Sequence, residues 1–153
     1  MKIRRATPRD IPSICEMHNS SIRELCLGPY SQDQIDDWVS ALNPHGYVKV
    51  METLEFILAV EKEIVGLSIL DPGKAELTAL YVSPRHVGQG IGTMLVAEVE
   101  ALSGEADIHA LHLSSTLNAV GFYERTGFVR QYDSSYTLPC GTVLPCVRMM
   151  KRL

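Results

Sequence analysis

Three glycines at alternate positions, Gly88, Gly90 and Gly92, stand between a run with strand character, Ala75 to Val82, and a run with helix character, Gly90 to Ser103. They commit this part of the chain to a strand, a tight turn and a helix in immediate succession. A turn stripped of side chains lets a backbone approach something large and meet it with bare N–H groups. The helix that follows adds its own unpaired first N–H groups and the positive end of its dipole. Such an arrangement suits an anion, most often a phosphate. Two common glycine fingerprints fail on residues. A dinucleotide loop needs G-x-G-x-x-G after the first strand of a βαβ unit, but position 93 is threonine and a hairpin meander precedes the turn. A P-loop needs a lysine for the outer phosphates, and Arg85-His86-Val87-Gly88-Gln89-Gly90-Ile91-Gly92 holds none. A glycine-rich turn without any ligand is the plain alternative.

The rest of the chain reads as alternating elements. Lys2 to Ala6 is a first strand. Thr7-Pro8-Arg9-Asp10 forms a capping box that opens a helix, with Ile11, Ile14, His18, Ile22 and Leu25 near one face and Gly28-Pro29 as its breaker. Ser31-x-x-Gln34 is a second box, leading through Ile35 and Trp38 to Leu42, and Asn43-Pro44-His45-Gly46 reads as the turn that ends that helix. Leu54 to Val60 and Ile64 to Leu70 form a hairpin, followed by the turn Asp71-Pro72-Gly73 and the strand before the glycines. The helix after them buries Ile91, Leu95, Val99 and Leu102. Ile108 to Leu113 is a strand, and Asn118 to Thr126 a short helix closed by Gly127. Phe128 to Leu138 and Val143 to Met150 form a last hairpin around Gly141. The order β-α-α-β-β-β-α-β-α-β-β predicts an α/β fold: one mixed, mostly antiparallel central sheet flanked by helices. A length of 153 residues fits a single domain, 1–153.

Bulk properties exclude several classes. The net charge of −4 gives no reason to expect nucleic acid. No apolar run approaches the roughly 20 residues of a membrane span. Met1-Lys2-Ile3-Arg4-Arg5-Ala6 is basic with no apolar stretch behind it, so a cytoplasmic location is expected. Cys15, Cys26, Cys140 and Cys146 form no C-x-x-C pair, so neither a zinc nor a redox site is suggested. They read as reduced thiols, with a Cys140–Cys146 bridge as the lesser alternative.

Arg85-x-x-Gly88-x-Gly90 resembles the acyl-CoA pyrophosphate loop of the GNAT family of N-acetyltransferases. Glu76-Leu77-Thr78-Ala79-Leu80-Tyr81-Val82-Ser83-Pro84 is similar to that family's fourth strand. Asn118-Ala119-Val120-Gly121-Phe122-Tyr123-Glu124-Arg125-Thr126-Gly127-Phe128 resembles its second signature. The element order matches from about residue 2 to 151, sharply between 75 and 128.

The resemblance implies the acyl-CoA N-acyltransferase fold, acetyl-CoA as cosubstrate and no metal. Backbone groups of Val87, Gly88, Gln89, Gly90, Ile91, Gly92 and Thr93 would hold the pyrophosphate, with Arg85 either adding charge or staying a solvated surface residue. The backbone of Leu80, Tyr81 and Val82 would hold the pantetheine arm, and the Val82 N–H would receive the oxyanion. Tyr123 would be the acid for the departing thiolate, since a phenol keeps its proton near neutral pH; its plain role is as a core tyrosine. Glu76 would be the base, directly or through water, or simply a polar strand residue. Asn118 would touch the pantetheine while capping its helix. His109 and His112 are weaker candidates for the cleft, Trp38 for the acceptor site, and Glu124 and Arg125 belong on the surface. No cysteine lies in either motif, so direct transfer to a primary amine, on a small molecule or a peptide, is implied. A binding module without turnover, and transfer of another acyl group, stay open. So does a homodimer through the last strands.

Overall fold

In the computed structural model, which describes residues 1–153, the strand-like runs join into one seven-stranded sheet. Across the sheet come β1 (Lys2–Arg5), β2 (Glu55–Val60), β3 (Ile64–Asp71), β4 (Glu76–Val82), β5 (Ala110–Ser115), then β7 (Val143–Arg152) with β6 (Val129–Thr137) on the far edge. Every neighbouring pair is antiparallel except β4 and β5. This is the mixed, mostly antiparallel sheet the element order predicts.

The helices are α1 (Ile11–Leu25), α2 (Gln32–Ala41), α3 (Pro44–Thr53), α4 (Ile91–Glu105) and α5 (Val120–Arg125). One of them corrects the sequence reading. Asn43-Pro44-His45-Gly46 starts a helix and is not a turn leading to a strand. The Asn43 side chain accepts a hydrogen bond from the His45 N–H at 3.0 Å, and Pro44 takes the first helical position. Tyr47, Val50 and Met51 then pack against α1 and β2.

Strand alternation divides the core between the two faces. Leu58, Leu67 and Ile69 meet Ile14, Met17 and Tyr47 of α1 and α3. Ile57, Ala59 and Val65 meet Ile91 and Leu95 of α4 on the opposite face. Farther along that second face, Leu77, Leu111 and Leu113 pack with Val96, Val99, Val120 and Tyr123.

One residue interrupts the pairing of β4 with β3. Ile69 faces Ala79 and Leu70 faces Leu77, so Thr78 is an extra residue in β4, and its hydroxyl donates to the Ile69 carbonyl at 3.2 Å. A bulge bends its strand and increases the local twist. β4 pairs with β5 only at Glu76↔His112 and Leu77↔Leu113, then leaves it from Thr78 onward. A wedge opens between two central strands at their carboxyl ends.

The N-terminal helices are tied across this opening. The Tyr30 hydroxyl donates to the Pro145 carbonyl of β7 and accepts from the Leu117 N–H at 3.2 Å. Ile22, Cys26, Ile35, Leu138 and Leu144 pack around it. All four cysteines are free thiols. No helix is long and apolar enough to cross a membrane.

His18 of α1 is buried, with Nδ1 2.7 Å from the Tyr47 hydroxyl and Nε2 unpartnered. Burial lowers its pKa from 6.5 to about 4. As pH falls through that window the unfolded chain takes up a proton that the folded chain refuses, so the native state loses stability there, on the order of 3 kcal/mol in all. Melting temperature is expected to fall between pH 6.5 and pH 4, and to fall less in His18→Gln. Equal acid sensitivity in both proteins would remove His18 as the cause.

Candidate functional site

The Ser83 N–H donates to the Val65 carbonyl of β3 at 2.8 Å. With a strand period of two, the Tyr81 N–H points the same way, and the N–H groups of Leu80 and Val82 point away from β3 into the wedge. No β5 backbone reaches them there. The wedge therefore holds a short row of interior main-chain donors and acceptors without a neighbouring strand.

The wedge continues into a cleft of about 530 Å³. Leu80, Tyr81 and Val82 form one wall, and Thr116, Asn118, Ala119 and Phe122 the other. Val87, Gly88, Gly90, Ile91, Gly92 and Thr93 close its end. Gly88 and Gly90 sit at φ +77° and +82°, in the left-handed region that side chains disfavour. Gly90 is the N-cap of α4 and brings no side-chain cap, so the first N–H groups of that helix stay available to a ligand. At Gly92 a Cβ would come within 2.9 Å of the Phe122 ring, so its absence lets the start of α4 pack against α5.

Charge separates the cleft from the rest of the surface. No carboxylate lines it, although the chain carries a net charge of −4, and Arg125 is the one arginine on its wall. An anion can enter without meeting like charge. Arg125 makes no ion pair within the chain. It also borders an adjoining hollow of about 380 Å³ lined by Thr93, Val96, Ala97, Glu100, Phe122, Thr126 and Lys151. Lys151 is already engaged by Glu100 and the Thr126 carbonyl.

Several candidate residues lie elsewhere. Arg85 is largely exposed and faces Glu63 at 3.4 Å, outside the cleft. Gln89 is exposed on the turn and is not on the wall. Tyr123 is 6% exposed, with ring centroids 5.1 Å from Phe122 and 5.6 Å from Phe128. It does not line the cleft but lies in the core cluster that includes Leu77 at the closed end of the wedge, and burial raises its phenol pKa above the ordinary 10. Glu76 lies at the closed end of the wedge, its Oε1 3.0 Å from Arg148 Nη1, and is not on the cleft wall. His112 is its neighbour on β5, His109 precedes that strand exposed, and neither lines the cleft. Trp38 packs edge-on against Tyr30 at 5.4 Å. Asn118 does line the cleft, but α5 begins at Val120 with Ala119 as its cap. Asn118 instead sits in the 3-10 turn Leu117–Ala119 before it and is not the helix cap.

Other wall residues were invisible in the sequence. Ser21, Leu25 and Cys26 arrive from the end of α1, held there by the Tyr30 bridge. Burial pushes the Cys26 thiol up to about 11, so it stays protonated and is no nucleophile. Arg125, placed on the surface by the sequence reading, stands three residues after Phe122 and so shares its helix face; that spacing was the available signal. No group of three or more His, Cys, Asp or Glu side chains clusters to hold a metal.

Residues 26–149 match the model of the acetyltransferase (GNAT) domain. The chain is 26% identical to spermidine N(1)-acetyltransferase of Thermoplasma acidophilum, over 88% of this chain and 92% of that protein. The structure of a GCN5-related N-acetyltransferase from Rhodopseudomonas palustris superposes with a TM-score of 0.93 at 25% identity, covering 99% of this chain and 95% of the other. PaiA N-acetyltransferase of Thermoplasma acidophilum, solved in complex with coenzyme A, superposes with a TM-score of 0.83 at 22% identity, covering 99% and 98%.

Proposed function

The chain belongs to the GNAT acetyltransferase family, and from that premise we propose that its cleft binds acetyl-CoA and that residues 1–153 act as one domain moving the acetyl group directly to a primary amine. One observation carries this reading. An interior gap in the backbone ladder runs into a carboxylate-free cleft that ends on an uncapped helix N-terminus. Pantetheine has amides to fill the gap as a substitute strand, and a pyrophosphate suits the N–H groups from Val87 to Thr93.

This polarity orders the site. With the pyrophosphate at the glycine turn, the thioester lies farthest from it, toward the Thr78 bulge. The sequence reading gives the oxyanion to Val82. Leu80 is one alternation closer to the bulge, so we assign the oxyanion to the Leu80 N–H and leave the Val82 backbone to a pantetheine amide. A donor fixed in this way is worth roughly 3 kcal/mol in the transition state. Tyr123, held protonated by its burial, donates to the sulfur as the carbon–sulfur bond breaks. Glu76 faces the opposite side of the sheet from Leu77, and with Oε1 taken by Arg148 its other oxygen accepts the amine proton through water. Gln89 and Arg85 are left to the exposed rim of the turn.

The adenosine end then enters the adjoining hollow, with its ribose 3′-phosphate beside Arg125. Arg125→Gln is expected to weaken CoA binding about 10-fold and dephospho-CoA binding less than about 2-fold, the worth of one charge-assisted hydrogen bond. Equal losses for both would remove this contact. The proposal as a whole is tested by calorimetric titration with CoA and by thiol release from acetyl-CoA with a panel of amines. Saturable binding with amine-dependent release is expected. Binding without release would leave a CoA-binding module, and no binding would overturn the reading.

A further inference from the structure

We infer that the acceptor carries a carboxylate close to its reactive amine, as an amino acid does, and that Arg148 recognises it. The inference rests on the acetyl-transfer reading above and names the substrate class for the same site.

The closed end of the wedge is accessible from one face only. On the α4 and α5 face, Leu77, Leu113, Val147, Met149 and Tyr123 are buried together. An amine must arrive over the other face. There, strand register sets two rows of side chains side by side. One row is Glu76, His112, Met150; the next is Ser114, Arg148, Tyr132. Ser114 and Tyr132 are exposed, and every residue of β6 is exposed, so no helix covers the second row. The β4 position that would flank Ser114 is displaced by the Thr78 bulge. The second row therefore ends at the apex of the wedge, where the thioester is placed.

Arg148 reaches over β5 at this apex. Its Nη1 is 3.0 Å from Glu76 Oε1 and 3.2 Å from Ser114 Oγ. Its Nη2 and Nε make no contact of this kind, and the side chain is 22% exposed. A guanidinium with half its fork free presents the geometry that a carboxylate matches. Ser114, His112 and Tyr132 add further donors. Glu76 is the one carboxylate in these rows, and it is already paired. A polyamine, whose polar groups are all amines, would meet a fixed positive charge with no free carboxylate to offset it. An amino acid meets the free fork with its carboxylate and leaves its amine toward Glu76 and the thioester.

The test compares thiol release from acetyl-CoA with L-amino acids, the matching amino acid amides and spermidine, for the wild-type protein, Arg148→Gln and Arg148→Lys. Melting curves and CoA titration confirm that each variant folds and binds. The wild type is expected to favour amino acids over their amides at least about tenfold in kcat/KM. Because Arg148 also holds Glu76, Arg148→Gln is expected to slow every acceptor, but to lower kcat/KM for amino acids about tenfold more than for amides, with partial recovery in Arg148→Lys. Spermidine or amides used as well as amino acids, or an equal loss across all acceptors in Arg148→Gln, would overturn the inference while leaving the transferase reading intact. CoA binding without release for any amine would remove both.

Discussion

Phenylalanine at position 123 is expected to slow acetyl transfer about 100-fold while leaving CoA affinity within about twofold, the range of a single general-acid contribution. Tyr123 is almost fully enclosed between Phe122 and Phe128, so the substitution removes one hydroxyl and keeps the packing. A thiol ionises near 8.5, so the departing sulfur gains from a donor at neutral pH. Burial raises the phenol pKa, which has two consequences. The hydroxyl keeps its proton at every pH in which the protein is assayed. As a weaker acid than the thiol, it stabilises the sulfur by hydrogen bonding as charge develops more than by early proton transfer. The rate of the wild type should therefore show no alkaline loss attributable to Tyr123 below about pH 10. Single-turnover thiol release measures the effect. A fall of less than threefold in Tyr123→Phe would remove the role, and a parallel loss of CoA affinity would show that packing was damaged instead.

Valine at position 90 is expected to weaken CoA binding about 100-fold with only a modest fall in melting temperature. Gly90 caps α4 at φ +82°, where a β-branched residue is strained, and no heavy atom lies within 4 Å of the site of its missing Cβ. Gly90 lines the cleft, so a strained side chain here shifts the turn away from the geometry that aims its N–H groups. Gly92→Ala is the useful contrast. Its methyl would meet the Phe122 ring at 2.9 Å, so its cost falls on packing and appears in the melting curve first. Calorimetry on both variants separates them. Unchanged CoA affinity in Gly90→Val would mean that the turn is not the phosphate site.

The parts of this site that the sequence shows are those built from neighbours along the chain. A glycine turn followed by a helix start is local, and so the cleft's closed end could be read from Gly88 to Thr93. The same holds for the meander of β2, β3 and β4, whose connections are short, but not for the insertion of β7 between β5 and β6. Asn43-Pro44 shows the limit of local reading, because a cap followed by proline also looks like a turn when glycine comes two residues later. The Thr78 bulge has no local signature at all: it exists only in the register of β4 against β3. Arg148 is 72 positions from Glu76, and the alternation that puts both on one face becomes meaningful only when β7 is paired to β5. Cys26 and Ser21 reach the cleft wall because Tyr30 is fastened to Pro145 and Leu117, contacts that span most of the chain.

The wedge has a consequence for the motions of the free protein. Main-chain amides at the centre of a sheet normally exchange their hydrogens only when the whole fold opens. Leu80 and Val82 are central by position, yet their N–H groups face a gap. In heavy water they are expected to exchange early, alongside loop amides, while Tyr81 between them remains protected by β3. CoA would supply the missing strand, and the two fast amides should then slow to the rate of their neighbour. Alternate residues of one strand would thus report cofactor occupancy directly, without any change in the course of the backbone.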